Sequence, residues 1–111
     1  MNFPDFIAKL PALDLPFSED VVQSRAIRSD AGLTVFFTFF QDVEIPAHAH
    51  LAQWGTVIEG SIELTMLGET KTYRPGDHYA IEAGVEHAAR IAAGTKAIDV
   101  FEEADRYPIK S

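Results

Sequence analysis

The chain has 111 residues, a formal net charge of −8 and no cysteine. This length fits one domain, and a hydrophobic content of 47% is enough for a core and excludes a disordered tail. The acidic balance, without a cluster of lysines and arginines, argues against nucleic acid and anionic membranes as partners. The lack of cysteine excludes disulfides, thiolate metal sites and a cysteine nucleophile, and it is compatible with the cytoplasmic location that we expect.

Residues 1–20 are predicted to form an N-terminal arm. Residues 3–10 have the pattern of a short helix with one apolar face, which carries Phe3, Phe6, Ile7 and Leu10. Pro11 and Pro16 then interrupt any helix. The arm lacks the basic start and the long apolar run of a signal peptide, and no segment approaches the roughly 18 apolar residues of a membrane span. We expect the arm to lie against the main body or against a partner subunit.

From residue 21 onward the pattern changes to short strands separated by turn signals such as Arg74-Pro75-Gly76-Asp77. The run 33–41 is apolar on both faces and is therefore predicted to be buried on both sides. Pro46 indicates an edge strand or a bend. Many short strands at this regular spacing predict an all-β sandwich or barrel. The predicted strands are 21–28, 33–41, 43–50, 54–59, 61–67, 70–73, 79–82, 87–92 and 96–101.

The chain has four histidines, and two of them, His48 and His50, are separated by one residue. In a strand this spacing places both side chains on one face, close enough to share an ion. Neutral imidazole is the commonest protein ligand for several divalent metals. The pair alone is equally compatible with two histidines on a solvent-facing strand.

Two longer motifs resemble those of the cupin family. The first is His48-Ala49-His50, then Gln53, then six residues and Gly60. The second is Pro75-Gly76-Asp77 followed by the turn from Glu82 to His87. The resemblance covers residues 44–100, about half the chain. It implies a cupin-type jelly-roll β-barrel over residues 21–111, preceded by the short arm at 1–20.

The resemblance also implies one divalent metal ion with His48, His50 and His87 as ligands and Gln53 as a fourth. Gln53 departs from the family pattern, which usually has Glu and a longer spacing after the second histidine. The alternative for Gln53 is a hydrogen bond that orients a histidine or a metal-bound water. In the second motif Glu82 replaces the usual Pro, which should affect only the rigidity of the turn. Zinc, nickel, iron and manganese are all compatible with these ligand types.

Three imidazoles and an amide carry no negative charge, so a divalent ion would keep its full charge and attract an anionic oxygen ligand. The expected ligand is therefore a small molecule that carries a carboxylate, a keto or hydroxy acid group, or an enolisable sugar. Because the histidines must be neutral to bind, we expect metal loss below about pH 6.

Asp99 shares one strand face with Ala97 and Phe101. If this face lines the pocket, Asp99 is a candidate general base; otherwise it is a solvated carboxylate. The segment Asp99-Val100-Phe101, together with a Gln ligand, resembles the small cupins of pectin breakdown, which open the rings of unsaturated uronic acids. That resemblance implies catalytic roles for Asp99 and Phe101.

The remaining polar and aromatic candidates receive weaker assignments. His78 lies next to no ligand and is predicted to be a surface residue. Arg25 and Arg90 are candidate carboxylate partners or ordinary surface charges. Asp105-Arg106-Tyr107 could close over the barrel mouth or be exposed. Aromatic side chains in strands are usually core, although four of them could line a pocket: Phe37, Phe39, Trp54 and Tyr79.

Three functions remain open at this point. The first is an enzyme that uses a divalent metal for isomerisation, ring opening or lyase chemistry on a small acidic or sugar-derived substrate. The second is a non-catalytic cupin that senses a small ligand or a metal, and the third is an iron-dependent dioxygenase. We also expect a homodimer that pairs through residues 21–41 and the N-terminal arm.

Overall fold

A computed structural model of the protein describes residues 2–110. In this range it has one short helix, α1 (Asp5–Ala8), and nine strands. The strands are β1 (Val22–Ser29), β2 (Gly32–Phe39), β3 (Val43–His48), β4 (Gln53–Glu59), β5 (Ile62–Met66), β6 (Glu69–Tyr73), β7 (His78–Ile81), β8 (His87–Ile91) and β9 (Lys96–Phe101). Each predicted strand is present, with ends that differ from the prediction by two residues or fewer.

The strands form two antiparallel sheets. The first has the order β1-β2-β9-β4-β7 and the second the order β3-β8-β5-β6. This alternation of strands between two sheets is consistent with a jelly roll. No strand pairing within residues 2–110 joins the two sheets into a closed barrel, so the predicted barrel is here a pair of facing sheets. Pro46 lies on β3, an edge strand of the second sheet, as its missing N–H donor predicts.

The core lies between the two sheets and is formed by alternate residues of each strand. Strand β2 shows this alternation clearly, and the prediction that it is buried on both faces is wrong. Its inward side chains are buried, whereas the outward Thr34, Phe36 and Thr38 are only partly buried and Phe40 is 47% exposed. The inward set is Leu33, Val35, Phe37 and Phe39.

The N-terminal arm lies against the body of the same chain. The Phe3 ring packs edge-on against Phe36, with 5.6 Å between ring centroids. The Ala26 N–H of edge strand β1 donates to the Pro11 carbonyl at 2.8 Å, and Leu13 is buried and bridged to Ile109. The arm therefore covers part of the β1 edge, which would otherwise present unpaired backbone groups. The helix itself is shorter than the predicted run 3–10.

No helix between residues 2 and 110 is long and apolar enough to span a membrane.

Candidate metal site

Three histidines meet at one end of the space between the sheets. His48 ends β3 and is the register partner of His87, which begins β8. His50 lies in the loop after β3, so the prediction that His48 and His50 share one strand is correct only for His48. The candidate ligand atoms of all three nevertheless lie within 4.8 Å of one another. His87 is buried, and the other two are partly exposed.

Each of these histidines has its Nδ1 atom engaged by a backbone carbonyl. The distances are 3.0 Å from His48 to Pro46, 2.6 Å from His50 to Leu51 and 2.9 Å from His87 to Val85. A carbonyl oxygen can only accept, so Nδ1 carries the proton and donates it. In the neutral rings this leaves the Nε2 lone pair free, which is the form that binds a metal.

The loop that carries His50 is fixed by groups from other elements. The Leu51 N–H donates to Glu103 Oε1 at 2.8 Å, and the Ala52 N–H donates to Glu102 Oε1 at 3.0 Å. The Gly84 N–H, in the turn before His87, donates to the His50 carbonyl at 2.9 Å. The two motifs are thus tied together by backbone hydrogen bonds. Glu102 and Glu103 directly follow β9, and the sequence pattern does not reveal this role.

Burial is the main cause that lowers the pKa of both His50 and His87 below the ordinary histidine value. The nearby charge of Arg106 lowers both further, while the carbonyl partner of each ring acts in the opposite direction. Both shifts favour the neutral form of the ring that a metal requires.

A buried carboxylate lies in the wall of the same cavity. Asp99 of β9 is 3% exposed, and its Oδ1 accepts hydrogen bonds from Tyr79 Oη at 2.6 Å and from Gln53 Nε2 at 2.9 Å. Burial raises the pKa of Asp99 to about 6, although both hydrogen bonds act in the opposite direction. Burial and the Asp99 charge raise the pKa of Tyr79 well above its ordinary value, so its hydroxyl remains a donor.

Both hydrogen bonds reach the same oxygen of Asp99. Among the described residues no hydrogen bond is made to Oδ2. Oδ2 is therefore the oxygen that is free to accept a proton from a ligand in the cavity.

Gly55 makes the contact between Tyr79 and Asp99 possible. On β4 it is the register partner of both residues, because β4 lies between β7 and β9. A Cβ atom at Gly55 would lie 2.2 Å from Asp99 Oδ1 and 2.3 Å from Tyr79 Cε2. The two side chains thus occupy the space above a residue that has none. Any larger residue at this position would displace one of them.

The histidines and the Asp99 group line one cavity with a volume of about 80 Å³. Gln53 and Phe101 are also in its wall. The Phe101 ring lies between His50, at 5.9 Å, and Tyr107, at 5.8 Å, measured between ring centroids. All six side chains that the sequence singles out for the site therefore reach one cavity: His48, His50, Gln53, His87, Asp99 and Phe101.

The sequence matches a family model for the cupin domain over residues 40–101, more than half of the chain. The chain belongs to the cupin family. No curated protein matches it.

Solved cupin structures share the fold. An RmlC-like cupin from Shewanella frigidimarina has a TM-score of 0.76 and 22% identity, over 96% of this chain and 95% of that one. KdgF from a Halomonas species has a TM-score of 0.70 and 24% identity, over 83% of this chain and 88% of that one. A variant of Bacillus subtilis oxalate decarboxylase has a TM-score of 0.69 and 17% identity, over 88% of this chain but 28% of that one.

The donor set of this cupin fits a divalent metal ion. Three neutral imidazoles with free Nε2 atoms face one another, and they are types of ligand that zinc, nickel, iron and manganese accept. The ligand role of Gln53 stays a prediction. Its Nε2 is occupied by Asp99, which leaves only its Oε1 as an oxygen donor for an ion.

The Asp99 contact gives a physical reason for Gln rather than Glu at position 53. A carboxylate at this position could not donate to Asp99 and would place a second negative charge about 3 Å from it. The amide can donate to Asp99 through Nε2 and still present Oε1. The departure from the family pattern at Gln53 is therefore coupled to the buried acid at Asp99.

Several other sequence candidates lie away from the cavity. His78 and Trp54 are exposed and stack on each other, with 6.1 Å between ring centroids. Arg25 Nε donates to the Ala8 carbonyl at 2.9 Å. Arg90 pairs with Glu44 at 3.0 Å in an exposed ion pair. These two arginines serve surface contacts, whereas Phe37, Phe39 and Tyr79 do line the cavity.

Arg106 is the basic residue beside the site. Its guanidinium lies 4.5 Å from the centroid of the Tyr107 ring, which is in the cavity wall. Its Nε is buried and has no hydrogen-bond partner in the described part of the chain. A buried donor without a partner is costly, and Arg106 acts on the site through its charge, since it does not itself line the cavity. The sequence predicts the segment Asp105-Arg106-Tyr107 either as a cover over the barrel mouth or as exposed, and it indicates no binding role for Arg106.

Proposed function

We propose that this cupin is a metal-dependent enzyme that moves a proton on a small anionic substrate, in an isomerisation, ring opening or lyase reaction. The observation that carries the proposal is the buried Asp99 in the wall of the three-histidine cavity. A carboxylate that is only structural gains nothing from burial, because burial disfavours its charged form. A base needs this combination of a poised pKa and an open oxygen.

The residues of the site have separate roles in this proposal. His48, His50 and His87, with Gln53 Oε1, would hold the ion, which when bound would polarise a substrate oxygen and stabilise developing negative charge. The positive charge of Arg106 beside the site would favour an anionic substrate. The ionised Asp99 accepts a proton at Oδ2 and can return it to another atom of the substrate. Tyr79 and Gln53 keep the carboxylate oriented by donating to Oδ1.

Phe101 has no group that ionises or donates, so its proposed role is that of a wall. Its ring separates His50 from Tyr107 and covers one side of the site. This role agrees with the resemblance to the cupins of pectin breakdown, which implies that an aromatic residue acts beside the acid. The fold alone supports many activities and does not select this one.

Metal content is the first test. We expect about one ion per chain in tag-free protein, and loss of the ion in His87→Ala. His78→Ala is the matched control, because His78 is exposed on the opposite face of the first sheet and should leave the metal content unchanged. Metal-binding cupins include a structural neighbour, the Bacillus subtilis oxalate decarboxylase, which has Mn(II) centres. Equal metal content in both variants would contradict the site.

Proton transfer can be tested without knowing the natural substrate. The metal-loaded protein should exchange the hydrogens next to the carbonyl of a small 2-oxo acid with deuterium from D₂O, which NMR detects. Asp99→Asn should keep the metal and lose the exchange. Metal retention with undiminished exchange would remove Asp99 as the base. Bound iron together with oxygen consumption would instead favour a dioxygenase, and absence of exchange in every metal form would favour a sensor.

A further inference from the structure

The cavity has a polar end and a hydrocarbon end. Seven of its nineteen lining side chains carry polar atoms, and these seven are the histidines, Gln53, Asp99, Tyr79 and Tyr107. Gln53, Asp99 and Tyr79 are joined by hydrogen bonds, and the three histidines face one another. The other twelve side chains contain no nitrogen or oxygen. A ligand that fills the cavity must therefore present two different kinds of surface.

The strand register shows in which direction the wall becomes apolar. On β8 the inward positions that follow His87 are Ala89 and Ile91, and their partners on β5 are Leu64 and Ile62. Each step of two residues moves about 7 Å along a strand. The second sheet therefore loses its polar groups within one such step of His87.

The first sheet changes in the same direction. Asp99 is the register partner of Val35, and the next inward positions on β2 are Phe37 and Phe39, which line the cavity. Val22 on β1 pairs with Phe39 and lies in the same wall. Both sheets thus offer only hydrocarbon away from the histidines and Asp99.

The apolar wall discriminates between ligands by the part of the molecule that lies beyond the metal-binding head, which we call the body. A sugar hydroxyl moved from water against Phe37, Leu64 or Ile91 finds no donor or acceptor and loses its hydrogen bonds. A methylene group in the same place gains about fourfold in affinity. The volume of about 80 Å³ also limits size, because one water needs roughly 10–15 Å³ by the same measure. Only a body of a few heavy atoms fits.

We propose that the ligand of this cavity combines an anionic oxygen head with a short hydrocarbon body, as in the short-chain 2-oxo acids. The inference rests on the proposed function for the head alone. The body is inferred from the wall, and it argues against uronic acids and other polyhydroxylated bodies.

Two probes of equal size test the body. 2-Oxobutanoate and hydroxypyruvate share one head and differ by a methyl group in place of a hydroxyl. Both are titrated into Co²⁺-loaded protein, with the visible spectrum of the metal reporting the head and calorimetry reporting the affinity. We expect the same spectral change from both probes and at least fivefold tighter binding of 2-oxobutanoate. 2-Oxopentanoate should gain about another fourfold.

A variant pair tests the wall. Ile45→Thr places one hydroxyl on the wall beside Ala89, one step from His87, and it should reduce the preference for 2-oxobutanoate by threefold or more. Val57→Thr is the control, because Val57 is buried in the facing sheet and does not line the cavity. Both variants are compared as affinity ratios, on protein whose thermal melting shows that it is folded.

The outcomes separate the two proposals. If both probes change the spectrum but hydroxypyruvate binds as tightly as 2-oxobutanoate, the hydrocarbon body is wrong and the proposed function stands. If neither probe changes the spectrum, the anionic head is wrong, and both proposals are overturned. If Val57→Thr alters the ratio as much as Ile45→Thr does, the cavity wall is not the source of the preference, and the inference is overturned.

Discussion

Two neighbouring rows of residues cross the first sheet and face opposite sides of it. In most sheets the buried side is apolar and the exposed side is polar, and these two rows show the reverse. The inner row faces the core and consists of Ala26, Val35, Asp99, Gly55 and Tyr79. The outer row faces away from the core and consists of Ile27, Thr34, Val100, Trp54 and Ala80. The buried row contains a carboxylate, whereas the outward row has no charged side chain in a protein of net charge −8.

The difference shows what each row requires from a partner. A buried acid costs stability, and the proposed role of Asp99 in the cavity would account for this cost. An exposed apolar row costs solubility, so the outer row has a reason to persist only if another surface covers it. The rows differ by one residue in each strand, because side chains alternate between the faces of a sheet.

The largest effect should come from Gly55→Ala. Its new Cβ would lie within 2.3 Å of both Asp99 and Tyr79, so at least one side chain of the inner row must move. We expect a loss of stability of roughly 3 kcal/mol or more, at the upper end of overpacking, together with loss of deuterium exchange. Chemical denaturation measures the loss of stability, and NMR measures the loss of deuterium exchange. Thr56→Ala, on the outward face of the same strand, should change both much less, and equal effects would show that the inner row is not special.

The next effect is a gain of stability in Asp99→Asn. Burial raises the pKa of Asp99 from 3.8 to about 6. Between these values the folded protein holds a proton that the unfolded chain has released, so stability falls as the pH rises from about 4 to 6 and is then constant. The fall amounts to about 3 kcal/mol as an upper limit. Asn keeps a carbonyl that can accept from Tyr79 and avoids this cost.

The pH dependence of the stability difference between Asp99→Asn and the wild type tests this expected gain. In metal-free protein, Asp99→Asn should be more stable than the wild type at pH 7 by up to about 3 kcal/mol and nearly equal to it at pH 4. The contributions of His50 and His87, whose lowered pKa values reduce stability as the pH falls below 6.5, are common to both proteins and cancel. A variant that is less stable than the wild type at pH 7 would show that Asp99 has a structural role.

A smaller effect is expected from reversing the hydrogen bond between Gln53 and Asp99. Gln53→Glu alone removes the donor and places two acids side by side, which should cost about 2 kcal/mol. Combined with Asp99→Asn it restores a donor and an acceptor in the opposite direction and should recover most of that loss. Urea denaturation of the metal-free proteins gives the coupling. If the effects of Gln53→Glu and Asp99→Asn on the free energy of unfolding simply add in the double variant, position 53 is not coupled to position 99.

The sequence predicted the strands and the three histidines of the candidate metal site but not the partners of Asp99. Alternation and turn residues predict each strand locally, and the two cupin motifs predict His48, His50 and His87 because family spacing is visible along the chain. Tyr79, Gly55 and Asp99 lie in three different strands and meet only through their register, which no local pattern specifies. Gly55 shows this well, since a glycine in a strand predicts a close approach without naming what approaches.

The smallest effect on the stability of the folded chain should come from a substitution in the outer row. We propose that it forms the contact of a homodimer, because a second acidic copy can approach without charge repulsion only over an uncharged surface. Ile27, Val100 and Trp54 are 52%, 39% and 44% exposed and lie on three strands of one flat face. The proposed contact overlaps the predicted residues 21–41 at Ile27 and Thr34, extends across the sheet to Val100 and Trp54, and does not use the arm.

Trp54→Asp tests this contact and should change monomer stability by no more than about 0.5 kcal/mol. At micromolar concentration light scattering should give twice 12.3 kDa for the wild type and 12.3 kDa for the variant. Leu67→Asp is the matched control, because Leu67 is 81% exposed on the β5–β6 turn of the other sheet and should leave the dimer intact. Metal content should be the same in all three proteins, since the outer row does not reach the cavity. If the wild type has a mass of 12.3 kDa in solution, the outer row has no partner and the proposed dimer is wrong. Only the polarity of the inner row would then have a functional explanation.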